Sequence, residues 1–297
     1  MLRGVCYEVE ADRFTCDRAL SCAHESVSQP LTLCLHVGYR CNLSCDYCVN
    51  GSVRDPSSPA APEDLAGWLE PWRSLRVVLS GGEPLLYPER LHRLLVSLRA
   101  RNHWTVVSTN GTLSDTTSVL ASSDWVDVSI PGLSKGTYES VRGGSGFDAA
   151  VQFVKNNVAS GRRVRLSYLV HTANLHEVSA LPDFVSTLGV RSLRVGFSWT
   201  GLRPTAGVIS AVNVVLDQIR REAPGVSIYG PLSDVSFGLF ESGYLVVDPM
   251  GWVYRKQVSP GTLVGHLSWP RERLDEKAGS AYADNVALFC SRYDNAG

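Results

Sequence analysis

The sequence predicts an α/β protein, a partial (β/α)6 barrel of the TIM type followed by a small C-terminal α+β extension. Three observations carry that prediction. Short apolar runs alternate with helical patterns six times between residues 31 and 202, and such alternation makes a parallel sheet with helices outside it. Crossovers between parallel strands are right-handed, which curls the sheet toward a barrel. Each run ends in a polar or glycine-rich segment, so the chain's chemistry falls at the C-terminal ends of the strands, where barrels of this kind keep it.

The elements follow in order. Residues 1–30 are polar and irregular and read as an N-terminal extension. The alternating run LTLCLHV from Leu31 reads as a first strand, and it leads directly into a cysteine-bearing loop at Gly38–Gly51. Further strands are predicted at Arg76–Leu79, Trp104–Ser108, Trp125–Ile130, Val164–Val170 and Leu193–Phe197. Helices are predicted at Pro62–Trp72, Tyr87–Arg101, Ser114–Ser122, Phe147–Ser160 and Asn174–Leu188. The strands end in GYRCNLSCDYC, SGGEP, STNGT, SIPG, HTAN and SWTG. From about residue 203 the pattern changes. Asn213–Ala223 reads as one more helix, and SIYG, YLVVDPMGWVYR and TLVGHL suggest an antiparallel hairpin turning at Pro249-Met250-Gly251. The expected organisation is an extension over 1–30, a core over 31–202 and a C-terminal region over 203–297, with no linker strong enough to separate independent domains.

Composition narrows the function classes. Of 297 residues, 44% are apolar and 19% charged, enough for a buried core and too apolar for disorder. The 28 basic and 29 acidic side chains leave a formal charge of −1, which disfavours a uniformly basic nucleic-acid binder. No apolar run reaches the ~18 residues of a membrane span, and MLRGVCYEVE lacks the apolar segment of a secretory signal. A cytoplasmic protein without membrane or nucleic-acid partners is expected.

The cysteines are the sharpest signal. Seven of the eight lie in the first 48 residues, namely Cys6, Cys16, Cys22, Cys34, Cys41, Cys45 and Cys48, and the eighth is Cys290. That count is low for a disulfide scaffold. Cys41, Cys45 and Cys48 form C-x3-C-x2-C, so three thiolates can wrap one cluster or metal ion, leaving one corner of a four-iron cluster without a protein ligand. Zinc with His36 or His24 as a fourth ligand is the plainer alternative. Cys34, inside an apolar strand, reads as a core residue.

With Tyr47 before the third cysteine, this loop resembles the signature of the radical S-adenosylmethionine (SAM) superfamily. Gly81-Gly82-Glu83-Pro84 after the second strand resembles that family's motif for the SAM amino group. Thr109-Asn110-Gly111-Thr112 after the third strand, and Ser129 followed by Arg142-Gly143-Gly144 after the fourth, resemble the branch with SPASM or twitch extensions, which includes peptide-maturing enzymes. The resemblance spans roughly residues 31–200. It implies a [4Fe–4S] cluster on Cys41, Cys45 and Cys48 whose remaining iron chelates SAM, and a 5′-deoxyadenosyl radical that takes a hydrogen atom from a substrate. It also implies SAM contacts from Tyr47, Gly81, Gly82, Glu83, Asn110, Ser129 and Arg142. The residue types suit those roles. Paired glycines admit close approach to a ligand, and Glu83 accepts from an ammonium group. Ser129 and Arg142 suit a carboxylate, and Tyr47 offers an aromatic edge to an adenine.

The C-terminal region departs from that branch, whose extensions carry further cysteines for auxiliary clusters. GYLVVDPMGWVYRKQ…LVGHL resembles the extension's hairpin, yet Arg255 or Lys256 stands where a cluster cysteine is expected. A shortened extension without an auxiliary cluster is the preferred reading; a second site built from Cys6, Cys16, Cys22 and Cys290 is the rival. Cys290 is also a candidate hydrogen-atom donor to a substrate radical, with Tyr7, Tyr168 and Tyr293 as weaker redox candidates. The expected substrate is a peptide or a small natural-product intermediate. The expected partners are an electron donor such as flavodoxin or ferredoxin and, for a peptide, a separate recognition protein. The alternative is a catalytically silent iron–sulfur or zinc module on the same fold. A conventional SAM-dependent methyltransferase is disfavoured, because the first strand runs into cysteines rather than a glycine-rich loop.

Overall fold

A computed structural model describes residues 5–8, 13–16, 32–48, 50–51, 69, 76–114, 116–197, 205–229, 244–249, 251–255, 262–266 and 273. In chain order the elements begin with β1 (Val5–Glu8), β2 (Arg13–Cys16), β3 (Thr32–Gly38), β4 (Arg76–Gly81), α1 (Pro88–Ala100) and β5 (Trp104–Thr109). Next come α2 (Thr117–Leu120), β6 (Trp125–Ser129), α3 (Lys135–Arg142), α4 (Phe147–Ala159), β7 (Val164–Val170), α5 (Leu181–Leu188) and β8 (Ser192–Phe197). The last described are α6 (Ala206–Glu222), β9 (Ser227–Tyr229), β10 (Tyr244–Val247), β11 (Trp252–Arg255) and β12 (Thr262–His266). All six predicted core strands are present. The helix expected at Pro62–Trp72 lies, apart from residue 69, outside the described residues.

The chain divides into two compact units, one of residues 1–40, 52–106 and 235–297, the other of residues 41–51 and 107–234. In the first, β1 and β2 form an antiparallel pair with Cys6 opposite Thr15. Four-residue strands are too short to show a period, which is why this region read as irregular. The remaining strands of this unit run in the order β12-β11-β10-β3-β4. β3 is buried along its whole length, as a central parallel strand is on both faces. It pairs in parallel with β4 on one side and β10 on the other. The predicted hairpin is therefore antiparallel within β10, β11 and β12 and at the same time extends the sheet beside β3. Its turn closes where expected: Asp248 Oδ1 accepts from the Trp252 N–H at 2.8 Å, and Gly251 takes a φ of 91°. Cys34 is a core residue, packed with Val246, Val78 and Tyr254. Helix α1 buries Leu91, Leu94, Leu95 and Leu98, one helical stripe whose side chains each contribute about 1.5–3 kcal/mol on burial.

In the second unit β6, β7, β8 and β9 are all parallel neighbours. β9 is the SIYG segment, and it pairs in parallel with β8 rather than joining the C-terminal hairpin, a correction that local sequence could not supply. The two faces of this sheet differ sharply. Val126, Val128, Leu166 and Val195 are buried on one, the face on which α4 packs against β7. Asp127, Ser129, Arg165, Ser167, Ser192 and Arg194 line the other, as the strand alternation and register require. Helix α3 answers to no expected helix, α2 is shorter than the expected Ser114–Ser122, and two more differ in their bounds. α6 starts at Ala206, capped by the Thr205 side chain accepting from the Val208 N–H, not at Asn213. The helix expected over Asn174–Leu188 is a 3-10 turn at Leu175–Ala180 followed by α5, with Pro182 in the first turn of α5.

Candidate active site

The cysteine loop belongs to the second unit, where α3 holds it. Ser134 caps α3 at its start, and Gly143 ends it with a left-handed φ of 64°. A Cβ on Gly143 would stand 2.6 Å from the Ser44 carbonyl oxygen, so the loop rests against a position where only glycine fits. The Ser44 N–H donates to the Arg142 carbonyl at 3.2 Å. The Arg142 side chain reaches back: Nη1 donates to Cys45 Sγ at 3.4 Å, and Nη2 donates to the Ser129 carbonyl. Its guanidinium also lies 5.9 Å from the Tyr47 ring and 5.6 Å from the Tyr138 ring, within cation–π range.

Arg142 is 5% exposed. Burial alone would lower its pKa; the facing Tyr47, Cys45 and Tyr138 outweigh that and hold it above its ordinary value. The Tyr47 phenol is pushed up by burial, against the pull of Arg142. It is a neutral phenol under a fixed cation. Asp46 is pinned as well, its Oδ2 lying 3.4 Å from His171 Nε2. His171 Nδ1 accepts from the Ala173 N–H at 3.2 Å, which leaves the proton on Nε2, facing Asp46. On the far side of Cys41, Asn42 Nδ2 donates to Thr112 Oγ1 at 2.7 Å and Asn42 Oδ1 accepts from Asn110 Nδ2 at 2.8 Å. Asn110 Oδ1 accepts from the Thr112 N–H and hydroxyl.

In the first unit, the glycine–glutamate motif begins at the end of β4. The Gly82 N–H donates to the Gly38 carbonyl and the Glu83 N–H to the Arg40 carbonyl, both at 2.8 Å. A Cβ on Gly82 would lie 2.2 Å from the Arg40 carbonyl oxygen. The pair of glycines thus lets two stretches of backbone meet. Glu83 is 1% exposed, and its Oε1 accepts from the Leu85 N–H at 3.0 Å. His36, the zinc alternative, sits buried within β3 with its pKa lowered to about 4 by burial; His24 lies outside the described residues.

The residues present suit an iron–sulfur cluster and an anionic ligand. Cys34, Cys41, Cys45 and Cys48 form no disulfide. Cys41, Cys45 and Cys48 are each part-buried on one loop, and a four-iron cluster takes each thiolate on a separate corner. The buried Nε of Arg142 has no hydrogen-bond partner among the described residues, and a guanidinium with an unused donor suits a carboxylate.

The chain matches the Radical SAM superfamily profile over residues 35–185. It belongs to the radical SAM superfamily. It is 30% identical over 251 residues to the mycofactocin maturase MftC of Mycobacterium tuberculosis, covering 76% of this chain and 64% of that one. It is 27% identical over 179 residues to PqqA peptide cyclase of Methylorubrum populi, covering 57% and 46%. The chain therefore spans less than two thirds of the length of these curated relatives. Streptococcus suis SuiB, solved with SAM bound, superposes with a TM-score of 0.63 at 18% identity, covering 76% of this chain and 60% of that one. That likeness shows the fold, an α/β partial barrel. The superfamily's cofactors are a [4Fe–4S] cluster and SAM.

For this radical SAM chain the structure brings Cys45, Tyr47, Ser129 and Arg142 together in one cluster of contacts, and Asn110 beside it through Asn42. Gly81, Gly82 and Glu83 form a separate cluster with Gly38 and Arg40. Cys290, Cys22 and Tyr293 lie outside the described residues, as does Lys256. Cys6 and Cys16 lie on the paired strands β1 and β2. Tyr168 is buried and donates to the Asn174 carbonyl at 3.2 Å, a structural role. The sequence reading missed His171, whose one available signal was the polar HTAN segment after β7. Among the described residues no helix is long and apolar enough to cross a membrane.

Proposed function

We propose that this chain is an active radical SAM enzyme that removes a hydrogen atom from a peptide substrate and so tailors it. One observation carries the reading. The loop bearing Cys41, Cys45 and Cys48 is anchored, through the Cys45 sulfur and the Tyr47 ring, on Arg142, which also donates to the Ser129 carbonyl, and the family resemblance assigns SAM's carboxylate to that pair. The peptide substrate is supported by the relatives: a maturase, a peptide cyclase, and SuiB, solved with its precursor peptide SuiA at a TM-score of 0.65 and 16% identity, covering 77% of this chain and 60% of that one.

In this reading Cys41, Cys45 and Cys48 hold the [4Fe–4S] cluster. When bound, the cluster and SAM supply the 5′-deoxyadenosyl radical that takes the hydrogen atom. The chain's own residues bind and orient. Arg142 and Ser129 take the carboxylate of SAM, Glu83 and the backbone after Gly81 and Gly82 take its ammonium group, and Tyr47 packs at the adenine. Asn110 acts as a positioning residue, since it braces Asn42 next to Cys41. An electron donor of the flavodoxin or ferredoxin type and a separate peptide-recognition protein complete the system, in the reducing cytoplasm that thiolate ligands need.

The test is anaerobic reconstitution followed by reduction with dithionite. About four iron and four sulfide per chain, with 5′-deoxyadenosine released from SAM, is the expected result. Cys41→Ala, Cys45→Ala and Cys48→Ala should each abolish that release. One zinc and no iron, or SAM cleavage that survives loss of the cysteines, overturns the reading. A loaded cluster that binds no SAM leaves the silent iron–sulfur module instead.

A further inference from the structure

The polar face of the second unit's sheet carries two cations and one anion in close contact. By register Asp127 lies beside Arg165, Arg165 beside Ser192, and Ser129, Ser167 and Arg194 form one row across β6, β7 and β8. Asp127 is enclosed, with its side chain 2% exposed; Arg194 Nη2 lies 3.1 Å from its Oδ2 and Arg165 Nη1 lies 4.0 Å from it. One carboxylate thus serves two guanidinium groups, and a buried charge without an equal counter-charge is costly unless something else meets it.

The two arginines are not equivalent. Arg165 is fully enclosed; its Nε donates to Ser192 Oγ at 3.1 Å, and its guanidinium lies 4.7 Å from the Tyr229 ring and 5.4 Å from the Trp125 ring. Two aromatic faces and a hydroxyl account for it within the fold. Arg194 is held on one side only. Its Nε and Nη2 both donate to Ser167 Oγ, at 3.0 and 2.9 Å, while its side chain remains 31% exposed. Among the described residues Nη1 has no partner. Ser167 and Asp127 therefore fix the orientation of a guanidinium whose outer edge is left to an external acceptor. Two strand spacings, about 10 Å, separate its backbone from that of Ser129.

We propose that Arg194 is the anchor for a carboxylate group of the substrate. The inference rests on the reading above, in which Ser129 and Arg142 already take the one carboxylate of SAM, so the acceptor at Arg194 belongs to the second molecule. Held in place by Ser167 and Asp127, Arg194 presents a pre-oriented donor edge, which lowers the ordering cost of binding.

The test uses reconstituted protein with saturating SAM and three fluorescent probes: dansylglycine, the neutral dansylglycinamide, and the α-amide of dansylglutamate, whose carboxylate is on a side chain. Wild type should bind at least one of the two acids ten-fold or more tighter than the neutral amide; which acid is preferred tells a terminal carboxylate from an acidic side chain. Arg194→Gln should erase that preference while leaving SAM affinity by calorimetry within two-fold of wild type. If Arg194→Gln does not fold, Arg194→Lys keeps the charge beside Asp127 without the forked donor, and should reduce the preference. No preference in wild type overturns the proposal, as does a preference that survives both variants. A parallel loss of SAM affinity also overturns it, since Arg194 would then serve SAM. A wild type that binds no SAM sinks the functional reading alone; acid-over-amide preference measured without SAM still decides Arg194.

Discussion

Arg142 Nη1 and Cys45 Sγ stand 3.4 Å apart although 97 residues separate them in the chain. The same arginine accepts the Ser44 N–H on its carbonyl, so one residue holds the cysteine loop by backbone and side chain together. Replacing it should loosen both grips. Arg142→Ala is expected to lower SAM affinity more than ten-fold by calorimetry and to reduce iron retained after reconstitution. Arg142→Lys should be intermediate, because it keeps the charge but not the planar fork. Wild-type affinity in Arg142→Ala would remove Arg142 from the SAM site.

The glycines of α3 make an internal control. A side chain on Gly143 meets both a left-handed φ of 64° and the Ser44 carbonyl at 2.6 Å, whereas one on Gly136 meets nothing within 4 Å. Gly143→Ala should therefore destabilise by about 1–3 kcal/mol. Gly136→Ala should stabilise by about 0.5–1 kcal/mol, from helix propensity. Urea midpoints moving in opposite directions confirm the packing of the loop on α3; equal midpoints refute it.

Asp127 is the anion that two guanidinium groups share. Removing its charge leaves Arg165 enclosed without its counter-ion, so Asp127→Asn should cost about 3–5 kcal/mol, the range for breaking a buried pair. The double variant Asp127→Leu with Arg165→Met removes both charges and should lose less than Asp127→Asn alone. If the double variant is the less stable of the two by urea denaturation, the pair stabilises the sheet on its own account.

The strands were legible because each carries continuous or alternating buried apolar residues up to a glycine or polar loop, and β7 matches its expected bounds of Val164–Val170. α3 was not. KGTYESVR holds a glycine and five polar or charged residues, and its helix exists because Tyr138, Val141 and Arg142 find burial. β9 shows a different limit: its apolar pattern is local, but parallel pairing with β8 depends on where the chain returns. The site divides the same way. C-x3-C-x2-C lies within one loop and could be read directly. The contacts that hold it, Arg142 to Cys45 and Asp46 to His171, join distant segments, as does the Arg194 to Asp127 pair. None leaves a mark on local spacing.

His36 gives the protein a pH dependence with a definite sign. The side chain is buried in β3; its Nδ1 has no hydrogen-bond partner among the described residues, and its ring meets Tyr39 edge-on with centroids 5.8 Å apart. Burial lowers its pKa from 6.5 to about 4, so the folded protein holds it neutral while the unfolded chain protonates it near pH 6.5. Stability from this residue is full above pH 6.5 and declines as pH falls toward 4, because the unfolded state binds the extra proton. At about 1.4 kcal/mol per pH unit, the loss between pH 6.5 and 5 is about 2 kcal/mol, a window above the titration of most carboxylates. His36→Leu keeps the site apolar and should flatten the slope there. Urea denaturation of both proteins at pH 7.5, 6.5, 5.5 and 5 measures the difference. Parallel curves would mean that His36 accepts its proton in the folded state as readily as in the unfolded one, and that it is not sealed within the sheet.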